Sequence, residues 1–146
     1  MKIFKLLLIL VSAFSLSALA DEPKVHYTDI PGVKANILAK TTKAWNGSDL
    51  PPFGDGQPEI TIIRYQIEPG ASLPMHMHPV INAGLLIKGQ LTVIKKTGET
   101  LNITAGQPIV ELFKEWHYGT NPGKEAVDLV IVYAGTVGTP LVIREQ

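Results

Sequence analysis

The hexapeptide Pro74-Met75-His76-Met77-His78-Pro79 decides how the chain is read. Its two histidines are separated by a single residue, so on an extended chain both imidazoles point to one face. Side by side, they suit chelation of a single ion, and the two methionines point the other way. A third histidine, His117, stands 39 residues beyond His78 at the end of an apolar run. A closed β-barrel can bring such a distant strand to the same place. Three histidines with an open coordination position are the pattern of a catalytic metal site rather than a structural one. Neutral imidazole suits Zn, Cu, Fe and Ni.

Around this centre, Gly and Pro recur at short intervals between runs rich in Val, Ile, Thr and Leu. That rhythm predicts a β-sandwich or barrel. Strands are expected over 59–67, 90–95, 101–104 and 127–133, with Thr97-Gly98 turning between the second and third. The 127–133 run is almost wholly apolar, as in a strand buried on both faces. A further strand is expected over 33–45, followed by a loop over 46–52, and Trp45 is expected to pack over one end of the barrel. No segment of more than two turns carries a helical period.

Residues 1–20 have the layout of a secretory signal peptide. Lys2 and Lys5 precede an apolar run, and Ala18-Leu19-Ala20 precedes the expected cut before Asp21. The apolar run falls short of the roughly 20 residues that span a bilayer. The expected organisation is therefore a signal peptide over 1–20, an N-terminal strand and loop region packing on the barrel over 21–56, and the barrel itself over 57–146. The mature protein is expected to be periplasmic or secreted and free of the membrane. Without Lys2 and Lys5, 11 basic residues face 13 acidic ones, a net of −2. No basic stripe offers a nucleic acid an electrostatic footprint. The chain has no cysteine, which rules out thiol chemistry and thiolate metal ligands.

The spacing around the histidines resembles the cupin superfamily. Gly70, His76, His78, Asn82 and Gly89 resemble its first motif, and Gly106, His117 and Asn121 its second, each in order and with matching intervals. The resemblance implies a small single-domain cupin of all-β class: a double-stranded β-helix, or jelly-roll barrel, with one divalent metal ion held inside. His76, His78 and His117 match the family's histidine ligands one for one. It also suggests a homodimer. Two departures matter. The family's usual fourth ligand is a glutamate where this chain has Asn82, a neutral and weaker donor that stays a candidate additional ligand. The second motif commonly has Pro and Gly where this chain has Leu112 and Lys114.

Three neutral histidines leave a divalent ion with its full charge, which favours a small anionic substrate or ligand. The ligand set resembles that of the three-histidine iron cupins, which include dioxygenases. Fe(II) is therefore the expected ion, with Zn, Mn, Ni and Cu as alternatives. The expected function is a metal-dependent enzyme of oxygenase type, with a non-catalytic metal- or ligand-binding cupin as the alternative.

Four other residues stand out. Glu111 lies in the apolar run 109–113, where a carboxylate needs a partner. It is the candidate catalytic residue, as a substitute ligand, a group orienting an imidazole or a general base. Arg64 interrupts an apolar strand and either grips a carboxylate inside the barrel or sits on an exposed edge. Glu115 is expected to be solvated, and Asn121 fits turn chemistry before Pro122-Gly123.

Overall fold

The computed structural model describes residues 31–146. The expected signal peptide, its cleavage site and His26 lie outside the described residues. The chain divides into a unit ending at Asn36 and a compact unit spanning Ile37–Gln146. The nine strands among the described residues belong to the second unit: β1 (Pro58–Ile67), β2 (His76–Met77), β3 (Ile81–Lys88), β4 (Gln90–Lys95), β5 (Thr100–Thr104), β6 (Pro108–Val110), β7 (His117–Thr120), β8 (Val127–Thr136) and β9 (Ile143–Arg144). No helix occurs among the described residues.

The strands form two sheets, one ordered β1-β8-β3-β6 and the other β5-β4-β7-β2-β9. Strand pairing within both sheets is antiparallel. Alternation along each strand sends one set of side chains inward. From β1 these are Ile63, Tyr65 and Ile67, from β4 Leu91 and Val93, and from β8 Val127, Leu129, Ile131 and Tyr133. Together with Leu86, Ile103 and Ile109 they form one apolar core between the sheets. This is the all-β, double-stranded barrel architecture expected from the sequence.

The strands expected over 59–67, 90–95, 101–104 and 127–133 all form, and the last corrects an expectation about burial. β8 is not buried on both faces: Val127, Leu129, Ile131 and Tyr133 are buried, while Val132 is 39% exposed. It is a central strand between β1 and β3, but its outer side chains join Ile60 and Ile62 on an outward face. An antiparallel sheet can leave one face to solvent, and its apolar outer residues hide that fact in the sequence.

The strand expected over 33–45 does not form. Ile37 and Leu38 are 62% and 55% exposed, and the only pairing of this stretch is one bridge between Lys43 and Asp49. Asn46 accounts for the turn inside that bridge, because its Oδ1 accepts from Ser48 N at 3.1 Å. Beyond the bridge no neighbouring strand supplies a ladder. Trp45 packs against the core as expected, and its backbone N–H donates to the Val110 carbonyl at 3.0 Å.

Candidate metal centre

Strand register assembles the histidines. His76 on β2 stands directly opposite His117 on β7, so the two side chains share a face. His78, two residues on, joins them on that face. All three are buried. Their ring centroids lie 4.6 to 5.1 Å apart, and one ligand atom from each lies within 4.8 Å of the others.

The backbone fixes which nitrogen each ring presents. His76 Nδ1 bonds the Pro74 carbonyl at 2.7 Å, His78 Nδ1 the Leu141 carbonyl at 2.9 Å, and His117 Nδ1 the Glu115 carbonyl at 2.8 Å. A carbonyl only accepts, so each Nδ1 carries the proton and each Nε2 presents a lone pair. Burial lowers the pKa of all three, that of His78 and of His117 to about 4. All three imidazoles are therefore neutral at pH 7, the state in which histidine binds metal.

Glu111 lies beside the cluster, next to His117. It leaves the end of β6 buried, and its Oε2 lies 3.5 Å from His117 Nε2. Burial pushes its carboxyl up to about 7. Neither Glu111 Oε2 nor His117 Nε2 has a hydrogen-bond partner. Two ligand atoms each about 2.1 Å from one tetrahedral ion would stand roughly 3.4 Å apart, so this spacing fits two donors on one ion. Three imidazole lone pairs turned into one buried place repel one another unless a cation joins them. The residues present therefore fit a divalent metal.

Asn82 is buried as well, with neither Oδ1 nor Nδ2 hydrogen-bonded. It stands opposite Tyr133 on β8, whose ring centroid is 5.6 Å from that of His78. Tyr133 and Tyr65 join hydroxyls at 2.9 Å. These phenols border a cavity of about 370 Å³, lined also by His76, His78, Glu111, four aliphatic side chains and Arg144.

Other candidates fall elsewhere. Arg64 does not enter the barrel. It lies on the outer face, where its Nε and Nη2 donate to the Asp128 carboxylate at 2.8 and 2.6 Å. Glu115 is not simply solvated: it pairs with Lys95 at 2.7 Å and accepts from Asn46 Nδ2 at 3.0 Å. Asn121 is structural. Its Nδ2 donates to the carbonyls of Ile67 and Glu125, and its Oδ1 accepts from Gly123 N. The cavity residues Arg144, Tyr65 and Tyr133 were not singled out from the sequence. For Arg144 the one available signal was the alternation of Val142, Ile143 and Arg144.

Comparison with known proteins places the fold. The Cupin domain family matches residues 63–133, about half of the chain. No curated protein matches. A solved Lactobacillus farciminis oxalate decarboxylase in complex with formate is 23% identical, with a TM-score of 0.51 over 58% of this chain and 26% of that one. A recombinant oxalate oxidase in complex with glycolate is 24% identical, with a TM-score of 0.50 over 58% of this chain and 45% of that one. The matched region thus spans less than half of either enzyme. An uncharacterized conserved protein with a double-stranded β-helix domain from Klebsiella pneumoniae is 16% identical, with a TM-score of 0.50 over 64% of this chain and 89% of that one. A family match that begins on β1, ends on β8 and encloses all three clustered histidines, together with solved barrels of the same fold, makes this chain a member of the cupin superfamily.

Proposed function

We propose that this protein is a metal-dependent enzyme of oxygenase type that acts on a small anionic organic substrate. His76, His78 and His117 would hold one divalent ion, Fe(II) by preference, with Glu111 as a fourth protein donor. The observation that carries the reading is the convergence of the three histidines, each Nδ1 being tied to a carbonyl, with the Glu111 carboxylate 3.5 Å from His117 Nε2. An ion bound there would supply open coordination positions at which O₂ and substrate meet. The chain's own residues do the rest. The three carbonyls hold the imidazoles in one tautomer, the aliphatic walls of the cavity exclude water, and Glu111 takes or gives a proton near neutral pH when it is not bound to the ion. The two oxalate enzymes were solved with small carboxylates, glycolate and formate, and this supports a small anion as the ligand class. The signal-like residues 1–20 support work in the periplasm or outside the cell.

Metal analysis by mass spectrometry tests the centre. The protein, purified without tag or added metal, is expected to carry close to one ion per chain, and His117→Ala to carry none. Absence of metal from both, and none taken up on reconstitution, would withdraw the proposal. The Asn82 amide in the place of a ligand glutamate favours a second reading, a cupin that binds metal or anion without turnover. Oxygen uptake by the iron-loaded protein, measured with a panel of small organic acids, separates the two. No uptake with any acid, while binding persists, selects the second.

A further inference from the structure

The guanidinium of Arg144 is a cation without a partner among the described residues. It lies on β9 opposite His76 on β2, so its side chain leaves the sheet on the same face as that imidazole. It lines the cavity, and its charge helps to lower the pKa of His76. Its guanidinium makes no hydrogen bond or ion pair with any described residue. The other exposed arginine, Arg64, is by contrast paired through two hydrogen bonds with Asp128 on the outer face of the other sheet.

The rest of the cavity is chemically lopsided. Leu73, Leu129, Ile131 and Val142 give it apolar walls. The two phenols there satisfy one another. Among the described residues lining it, Arg144 is the one fixed cation and Glu111 the one acid. Its volume lies within the roughly 300–1,000 Å³ range of small-molecule sites.

We propose that Arg144 is the anion-binding residue of this cavity and that its ligand is a small organic monocarboxylate with an apolar body. The guanidinium takes the carboxylate through charge-assisted, two-point hydrogen bonds, next to His76. The hydrocarbon part lies against Leu73, Leu129, Ile131 and Val142, where its burial adds affinity. A second carboxylate laid against those apolar walls, away from any ion on the three histidines, would have no cation to pair it. Dicarboxylates that place it there are therefore disfavoured. The inference deepens the small-anion reading above and rests on it.

Isothermal titration of the full chain, loaded with redox-inactive Zn(II) so that no turnover intervenes, tests this. Benzoate, acetate, succinate and neutral benzamide serve as probes. Benzoate is expected to bind at least tenfold more tightly than acetate or succinate. Arg144→Ala and Arg144→Gln are expected to lose at least tenfold in benzoate affinity while binding benzamide as before. Arg64→Ala is expected to leave both affinities unchanged. Equal benzoate affinity in Arg144→Ala and the parent protein would overturn the proposal. So would tighter binding of succinate than of benzoate, or no benzoate binding to the parent protein. Zinc content, measured on the same samples, separates the two readings. Benzoate binding that depends on Arg144 in a protein unable to retain zinc would remove the metal centre and keep this inference. Full zinc with benzoate affinity indifferent to Arg144 would do the reverse.

Discussion

Asn82 and Glu111 are cross-strand neighbours: the Glu111 backbone N–H donates to the Asn82 carbonyl at 3.0 Å. The pairing continues the β3–β6 ladder, in which Ala83 faces Val110, and both side chains are buried. The chain thus lacks a carboxylate at position 82 but has one directly across the ladder. Two features noted separately in the sequence, an amide where a ligand glutamate is usual and a lone acid in an apolar run, are two halves of one arrangement.

That geometry predicts a compensating pair. Glu111→Gln is expected to weaken metal binding by one to two orders of magnitude, in line with losses seen when groups around a metal site are removed. Asn82→Glu added to Glu111→Gln is expected to restore most of it. Competition with a fluorescent zinc chelator measures both. If the double variant binds as weakly as the single one, position 82 does not reach the ion.

Without metal, Glu111→Gln is expected to act in the opposite direction on stability. The folded carboxyl has its pKa raised by burial from 4.5 to about 7. Its contribution is therefore fully present below pH 4.5 and is lost as the pH rises through about 7. Glutamine suffers no such loss. Urea melts of the metal-free proteins should coincide near pH 4.5, and at pH 8 the variant should be more stable by about 3 kcal/mol, from a shift of this size. His78 and His117, with lowered pKa values, contribute stability present above pH 6.5 and lost as the pH falls toward 4. They do so in both proteins and cancel in the comparison. A parent protein as stable as the variant at pH 8 would mean that Glu111 has found a partner there.

The histidine cluster was legible because its logic is local. An i, i+2 pair shares a face on any strand, and the third histidine needed only a barrel to bring it near. Strand ends on either side of the Thr97-Gly98 turn were legible for the same reason. Arg64 and Arg144 were not distinguishable in this way. Each interrupts an apolar strand, and only parity relative to the core decides which enters the barrel. On β1 both parities are apolar, with Ile60 and Ile62 against Ile63, Tyr65 and Ile67, so the sequence carries no sign of which faces in. On β9 parity is set by pairing with β2, a contact between residues far apart in the chain. The segment 33–45 misled because its composition suits a strand, while strands also need a neighbour.

Lys114 occupies a backbone position made for glycine. Its φ is +54°, the one positive value among described non-glycine residues, and its N–H donates to the His78 carbonyl at 2.8 Å. The turn tolerates a side chain but carries left-handed strain of about 1 kcal/mol. Lys114→Gly is expected to stabilise the fold by up to about 1 kcal/mol, less the chain entropy that glycine loses on folding. Lys114→Val is expected to destabilise it, because a branched side chain suits this conformation poorly. Thermal melts of both variants check the sign of each.

Gly84 marks the closest approach of β3 to β8. A Cβ added there would fall 2.3 Å from both the Val130 carbonyl oxygen and Ile131 Cδ1. The isoleucine can rotate away, but the carbonyl belongs to a ladder that runs the length of β8. Relief would have to come from separating the strands, and those strands carry Asn82 and Tyr133 beside the metal centre. Gly84→Ala is therefore expected to cost about 2–3 kcal/mol, the upper part of the usual range for overpacking, and to weaken metal retention. Gly119→Ala provides the contrast, because its nearest neighbour is Leu91 Cδ1 at 3.4 Å, an ordinary contact. Denaturant melts that rank the two substitutions equally would show that the β3–β8 spacing yields more easily than a paired backbone should.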